Sequence, residues 1–253
     1  MGAVREMKTG MGFNRFGVLL LIAVLGAGCG KKGSDEKFEE LRCGASDQYR
    51  SYMNPMDSTV IQNVSIDAAF SGAEIAKIQA AIDTWNRQGQ ASVGHDLFRA
   101  HVISVSAASV PAASDDCNFP GAEGSFSIVK VTSGVTWSSL GFASNNPGVT
   151  IRCASGRDFA SKQVVLLNTP NMSSIPQIFE NVILHELGHA IGLDHSCDMS
   201  NSGIPGFAGC AQPGTDPSYK EAVMFPYVSP NDIREDLRRN DEERSICALN
   251  YRP

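Results

Sequence analysis

Apolar residues recur along this chain with two periods, and the switches between them outline the elements. The stretch "STVIQNVSIDAAF" (58–70) is β-rich with partial alternation and predicts a first strand. The next segment, "SGAEIAKIQAAIDTWNRQ" (71–88), repeats Ile75, Ile78, Ile82 and Trp85 at helical spacing. Ser71 is a suitable cap for it, with Glu74 three residues on. Further strands are predicted at 98–107, 124–133, 148–153 and 162–168, separated by loops rich in Gly, Pro, Asn and Ser. "IPQIFENVILHELGHAIGL" (175–193) carries the strongest helical pattern. A Gly/Pro-rich connection (196–219) follows, and "NDEERSICALNY" (240–251) reads as a closing helix. No repeat interrupts this order, which predicts one α/β-type sandwich.

The N-terminus has a different pattern. Arg5, Lys8 and Arg15 precede the apolar run "FGVLLLIAVLGAG", which is short for a bilayer span and ends in small residues before Cys29. We read residues 1–28 as an export signal and 29–50 as a hydrophilic tether or short pro-segment. Residues 51–253 form the functional domain. "LGAGC" resembles a bacterial lipobox, although Gly26 stands where Leu is usual. That resemblance implies a lipid on Cys29 and an anchor in the bacterial cell envelope, on the periplasmic or the surface side. An ordinary secretory signal is the alternative.

Charge narrows the function classes. The chain carries 21 basic and 27 acidic residues, and residues 1–28 hold Arg5, Lys8, Arg15 and Glu6. The remainder therefore has 18 basic and 26 acidic groups. An acidic body without a basic stripe argues against nucleic-acid binding. Beyond Cys29 lie Cys43, Cys117, Cys153, Cys197, Cys210 and Cys247, enough for three disulfides in an exported protein. Their pairing is open, and no C-x-x-C spacing occurs.

The candidate chemistry lies in "HELGHAIGLDH" (185–195), which uses three of the five histidines. On a helix, His185 and His189 share a face and can present two imidazoles to one metal ion. Glu186 sits beside that ion, where it can take a proton from a bound water. Gly192 has no Cβ and can end the helix sharply, which lets the chain return His195 as a third ligand. Three ligands with an open fourth position suit a catalytic zinc.

This string resembles the zinc signature of the metzincin metallopeptidases. It is most similar to the matrixins, because Ser196 follows the third histidine. "AVMFPY" resembles the matrixin Met-turn, with Met224 beneath the zinc and Pro226 and Tyr227 walling the pocket for the residue after the scissile bond. "IAKIQAAIDTWN" and "NDEERSICALNY" are similar to the first and last matrixin helices. The resemblance implies an α/β (α+β) metzincin-like fold, a twisted mixed β-sheet with an early helix, a central active-site helix and a C-terminal helix. It also implies one catalytic Zn2+ and a protein or peptide substrate; a monomer is expected, although nothing in the sequence reports on oligomeric state. Calcium is a second candidate cofactor without a convincing ligand set.

Three features depart from or complicate that pattern. His195 and Met224 are 29 positions apart, longer than matrixins usually allow, and the connection holds Cys197 and Cys210, for which a local disulfide is one option. "LRCGASD" (41–47) resembles the matrixin latency segment, in which Cys43 would occupy the open zinc position. Only fourteen residues separate it from Cys29, and a switch would leave five other cysteines, so a structural disulfide is the favoured reading of Cys43. Finally, a non-catalytic zinc-containing surface module competes with the peptidase reading. Glu186 argues against it, since a purely structural site has no use for that residue. Hydrolysis of a non-peptide amide is a weaker third option.

Overall fold

The computed structural model describes residues 55–104, 117, 125–154, 159–173, 176–199, 209–213, 215, 217–229 and 231–250. Cys29 and Cys43, with the predicted signal and tether, lie outside the described residues. The first strand, β1 (Gln62–Asp67), is shorter than its apolar pattern. Asp57 closes one end by accepting from the Thr59 N–H (2.9 Å) and hydroxyl (2.6 Å). Asp67 closes the other end by accepting from Ala69 N (2.9 Å). These local side-chain bonds turn the backbone out of the ladder at both ends.

Helix α1 (Gly72–Val93) begins at a capping box. Ser71 Oγ accepts from Glu74 N (3.3 Å), and Glu74 Oε2 accepts from Ser71 N (2.6 Å). It runs five residues past the predicted end and stops at Gly94, in the left-handed region at φ +81°. Strands β2 (Phe98–Ile103), β3 (Ser125–Val131), β4 (Gly148–Cys153) and β5 (Lys162–Asn168) follow. The sheet order is β2-β1-β3-β5-β4. All neighbours are parallel except β4, which runs antiparallel along β5 with Thr150 opposite Val165. The predicted mixed sheet with early, central and terminal helices is the observed fold. The central helix is α4 (Ile178–Ala190) and the last is α6 (Arg239–Leu249). Three short helices fell outside the sequence expectation: α2 (Gly134–Ser139), α3 (Thr169–Met172) and α5 (Pro217–Glu221). One or two turns are too few to show a helical period.

Both faces of the sheet are covered. Val165 and Leu167 of β5 join the cluster built with α1 and α4, while Val164 and Leu166 join a second cluster around Trp137 and Phe142. A strand buried on both sides has to be apolar throughout, which explains the unbroken "VVLL". Trp85 of α1 is fully buried and donates its indole N–H to Leu184 O of α4 (2.9 Å). That bond fixes α4 relative to α1, and truncating this side chain would cost about 3–5 kcal/mol. Cys117–Cys153 ties the second face, Cys197–Cys210 closes the long connection, and Cys247 is also disulfide-bonded.

Candidate metal centre

Helix α4 is apolar almost all round and passes through the core, so its polar residues are buried with it. His185 donates from Nδ1 to Val223 O (2.7 Å) and His189 donates from Nδ1 to Leu193 O (2.7 Å). A carbonyl only accepts, so each Nδ1 carries the proton and each Nε2 keeps its lone pair. Both Nε2 atoms are buried without a hydrogen-bond partner. The His195 ring completes the group, with centroids 5.4 Å from His185 and 5.0 Å from His189. One ligand atom from each of the three side chains lies within 4.8 Å of the others.

Burial pushes the His185 imidazole down to about 3, helped by the neighbouring His195 and opposed by the bond to Val223 O. Burial likewise holds His189 well below the ordinary histidine range, with His185 and His195 adding to the effect. Both rings are therefore neutral, the form that binds metal. Leaving acceptor nitrogens buried and unpaired costs free energy, and a shared cation removes that cost. The donor set fits zinc, which takes histidine nitrogens and keeps a catalytic site open at one position.

His195 is positioned by the chain reversal after α4. Gly192 has φ +110°, and a Cβ there would stand 2.7 Å from Pro55 Cα, so both backbone conformation and space call for glycine. Ser196 then donates from its backbone to Met224 O (2.8 Å) and from its hydroxyl to Tyr219 O (2.5 Å). Arg244 of α6 donates Nη2 to the carbonyls of Asp194 (3.2 Å) and His195 (3.1 Å). The Cys197–Cys210 disulfide begins two residues after His195.

Met224 is fully buried beneath α4, against Gly188, whose added Cβ would collide with the Met224 sulfur. Asp241 of α6 holds the turn that carries it. Its carboxylate accepts from Val223 N (2.8 Å), Met224 N (3.0 Å) and Arg238 N (3.0 Å). Burial raises the Asp241 carboxyl, while these amide bonds pull it back down. Pro226 is buried and Tyr227 exposed beyond the turn, with Tyr227 edge-on to Phe225 at 5.4 Å. Arg234 covers the Phe225 ring at 5.4 Å.

Glu186 is fully buried beside the cluster, and burial raises its carboxyl to about 8 against the opposing bond from Thr150. Thr150 Oγ1 is 2.7 Å from Glu186 Oε2, and Glu186 Oε1 has no partner. The structure thus brings together His185, His189 and His195, with Gly192 at the reversal, Met224 against Gly188 of the same helix, and Glu186 on that helix with its carboxyl against β4. Sequence reasoning missed Asp241, Arg244, Thr150 and Gly148. Asp241 reads in sequence as an ordinary first-turn acid, and the other three carry no motif.

No protein-family model matches the chain, and comparison with curated proteins gives no match. Among solved structures, the chain is similar to high choriolytic enzyme 1, a hatching-enzyme zinc-protease from the medaka fish Oryzias latipes. That likeness has 16% identity and a TM-score of 0.38 over 83% of this chain and 98% of that one. It is also similar to myroilysin, at 12% identity and a TM-score of 0.38 over 80% of this chain and 100% of that one. At this level of likeness the functional reading rests on the site itself.

Proposed function

We propose that the chain is a zinc-dependent endopeptidase of the metzincin type, most like the matrixins. The observation that carries this reading is three buried histidines whose ligand atoms lie within 4.8 Å of one another, two of them with unpartnered nitrogens, on a chain turn whose helix also carries the buried Glu186 with an unpartnered oxygen. A binding module with structural zinc would favour a closed set of four protein ligands and gain nothing from a buried carboxylate. His185, His189 and His195 would hold zinc, which when bound would supply Lewis acidity to the scissile carbonyl and a water acidic near neutral pH. Glu186 takes the water's proton at Oε1 and delivers it to the leaving amine, as general base and then general acid. The peptide lies extended along β4, one of the two edges of the sheet among the described residues, adding a strand beside it. Met224 forms the floor, and Pro226 and Tyr227 wall the pocket beyond the scissile bond.

Export with a lipid on Cys29 belongs to the same proposal and would tether the enzyme to the cell envelope. Cys43 is read as a structural cysteine, with latency as the competing role. The test is digestion of casein by the purified chain, with and without a zinc chelator, alongside Glu186→Ala, with metal content measured in each. Zinc-dependent cleavage that disappears in the variant while zinc stays bound supports the reading. One bound zinc with no cleavage, in the chain and in Cys43→Ala alike, favours the binding module.

A further inference from the structure

The helix-facing side of β4 fits Glu186 at two positions. Along this strand Val149, Ile151 and Cys153 enter the second core cluster, so Gly148, Thr150 and Arg152 alternate to the α4 side. A Cβ at Gly148 would lie 2.9 Å from Glu186 Oε1, 3.0 Å from its Cγ and 2.8 Å from Val182 Cγ1. Close approach, rather than unusual backbone angles, is what calls for glycine there. Two residues on, the buried Thr150 hydroxyl lies 2.7 Å from Glu186 Oε2 and 2.9 Å from Glu186 O. The hydroxyl has one hydrogen, and a carboxylate is the stronger acceptor. Threonine is also β-branched, so its χ1 is stiff in a strand and its hydroxyl direction is fixed.

We propose that Gly148 and Thr150 are positioning residues that seat Glu186, binding one carboxylate oxygen to the strand and leaving Oε1 alone for proton transfer. The inference rests on the endopeptidase reading for its consequence, but its geometry is independent of substrate. A glutamate loses rotamer freedom when fixed, and the seat bears that cost before substrate arrives. The strand that would align the peptide also holds the base. A shift of β4 would therefore move both together and keep their spacing.

The test compares Thr150→Val, which keeps the shape and removes the hydroxyl, with Thr150→Ser, which keeps the hydroxyl, in the full chain. Zinc content is measured by elemental analysis, and kcat and KM on fluorescein-labelled casein. Thr150→Val is expected to lose on the order of 10- to 100-fold in kcat, with KM and zinc stoichiometry unchanged. Thr150→Ser is expected to restore most of kcat. A valine variant with wild-type kcat, or a serine variant as poor as valine, overturns the proposal. A second measurement needs no activity: the change in Tm caused by Thr150→Val, taken with Glu186 present and again in Glu186→Ala. The seat predicts a penalty larger by about 2–4 °C when Glu186 is present. Equal penalties in the two backgrounds overturn the seat. If the wild type cleaves nothing, the endopeptidase reading fails, and this cycle still decides for or against the contact.

Discussion

His185 and His189 ride on a single helix, whereas His195 sits in a connection held from several directions. For the first two, four residues of α4 set the separation and the core fixes the helix. For the third, the Gly192 reversal against Pro55, the Met224 carbonyl, the Arg244 guanidinium and the Cys197–Cys210 bridge each restrain part of the segment. The helical half follows from local geometry alone. The loop half depends on contacts between residues far apart in sequence, Pro55 with Gly192 and His195 with Arg244 among them, so it should be the half that loosens first.

The largest effect is expected in the helical half. Glu186→Gln keeps the size of the side chain and removes the base, so turnover should fall about 10²–10⁴-fold with zinc still bound. Steady-state cleavage and metal content on the same preparation check this. Loss of zinc together with activity would mean that Glu186 helps to hold the metal, which would undo the division of roles proposed here.

Next comes Asp241, which serves both halves. It holds the amides of Val223 and Met224, and the carbonyls of those residues receive His185 Nδ1 and Ser196 N. Asp241→Asn places an amide donor where backbone donors point. It should cost about 3 kcal/mol in stability by denaturant unfolding and about 10- to 100-fold in zinc affinity by chelator competition. An unchanged affinity at reduced stability would show that the turn does not orient His185.

These residues also show what could be read in advance. Strands 148–153 and 162–168 were legible because Gly, Asn and Ser loops bound compact β-branched or apolar runs. The histidine cluster was legible because an i, i+4 pair is a local property of any helix. The 58–70 pattern overstates the first strand because Asp57 and Asp67 divert the backbone through side-chain bonds that apolar spacing does not register. Asp241, Arg244 and Thr150 were invisible for a related reason. Asp241 and Arg244 act on backbone amides or carbonyls of a remote segment, groups that are the same in every sequence, and Thr150 acts on a carboxylate 36 positions away that no local spacing connects to it.

The two described bridges give a smaller but sharper contrast. Cys197–Cys210 spans 13 positions and Cys117–Cys153 spans 36. Chain entropy assigns about 3 and about 4 kcal/mol to such loops, so replacing either pair by serine should lower stability comparably. Only the first lies beside His195. Zinc affinity should therefore weaken about tenfold in Cys197→Ser/Cys210→Ser and stay near wild type in Cys117→Ser/Cys153→Ser. Equal weakening in both would mean that the loop half gains nothing specific from its bridge.

The smallest effect concerns protons in the metal-free protein. His185 titrates at about 3 when folded, against 6.5 as an ordinary histidine, with Arg234 and His195 pushing in the same direction as burial. Between these values the unfolded chain binds a proton that the folded chain refuses, so stability falls as pH drops through that window. His189 acts in the same sense. Glu186 does the opposite. Its carboxyl stands at about 8 when folded, against 4.5 ordinarily, so the folded chain keeps a proton that the unfolded chain releases, and stability falls as pH rises between them. The two trends leave a maximum near pH 6.5 for the metal-free chain. Above it, a one-proton slope of about 1.4 kcal/mol per pH unit limits the loss to about 2 kcal/mol by pH 8. Thermal unfolding of the metal-free protein across this range checks the prediction. In Glu186→Gln the alkaline decline should vanish while the acid decline remains. An alkaline decline that survives the substitution would trace to another group and leave the buried carboxyl without its assigned cost.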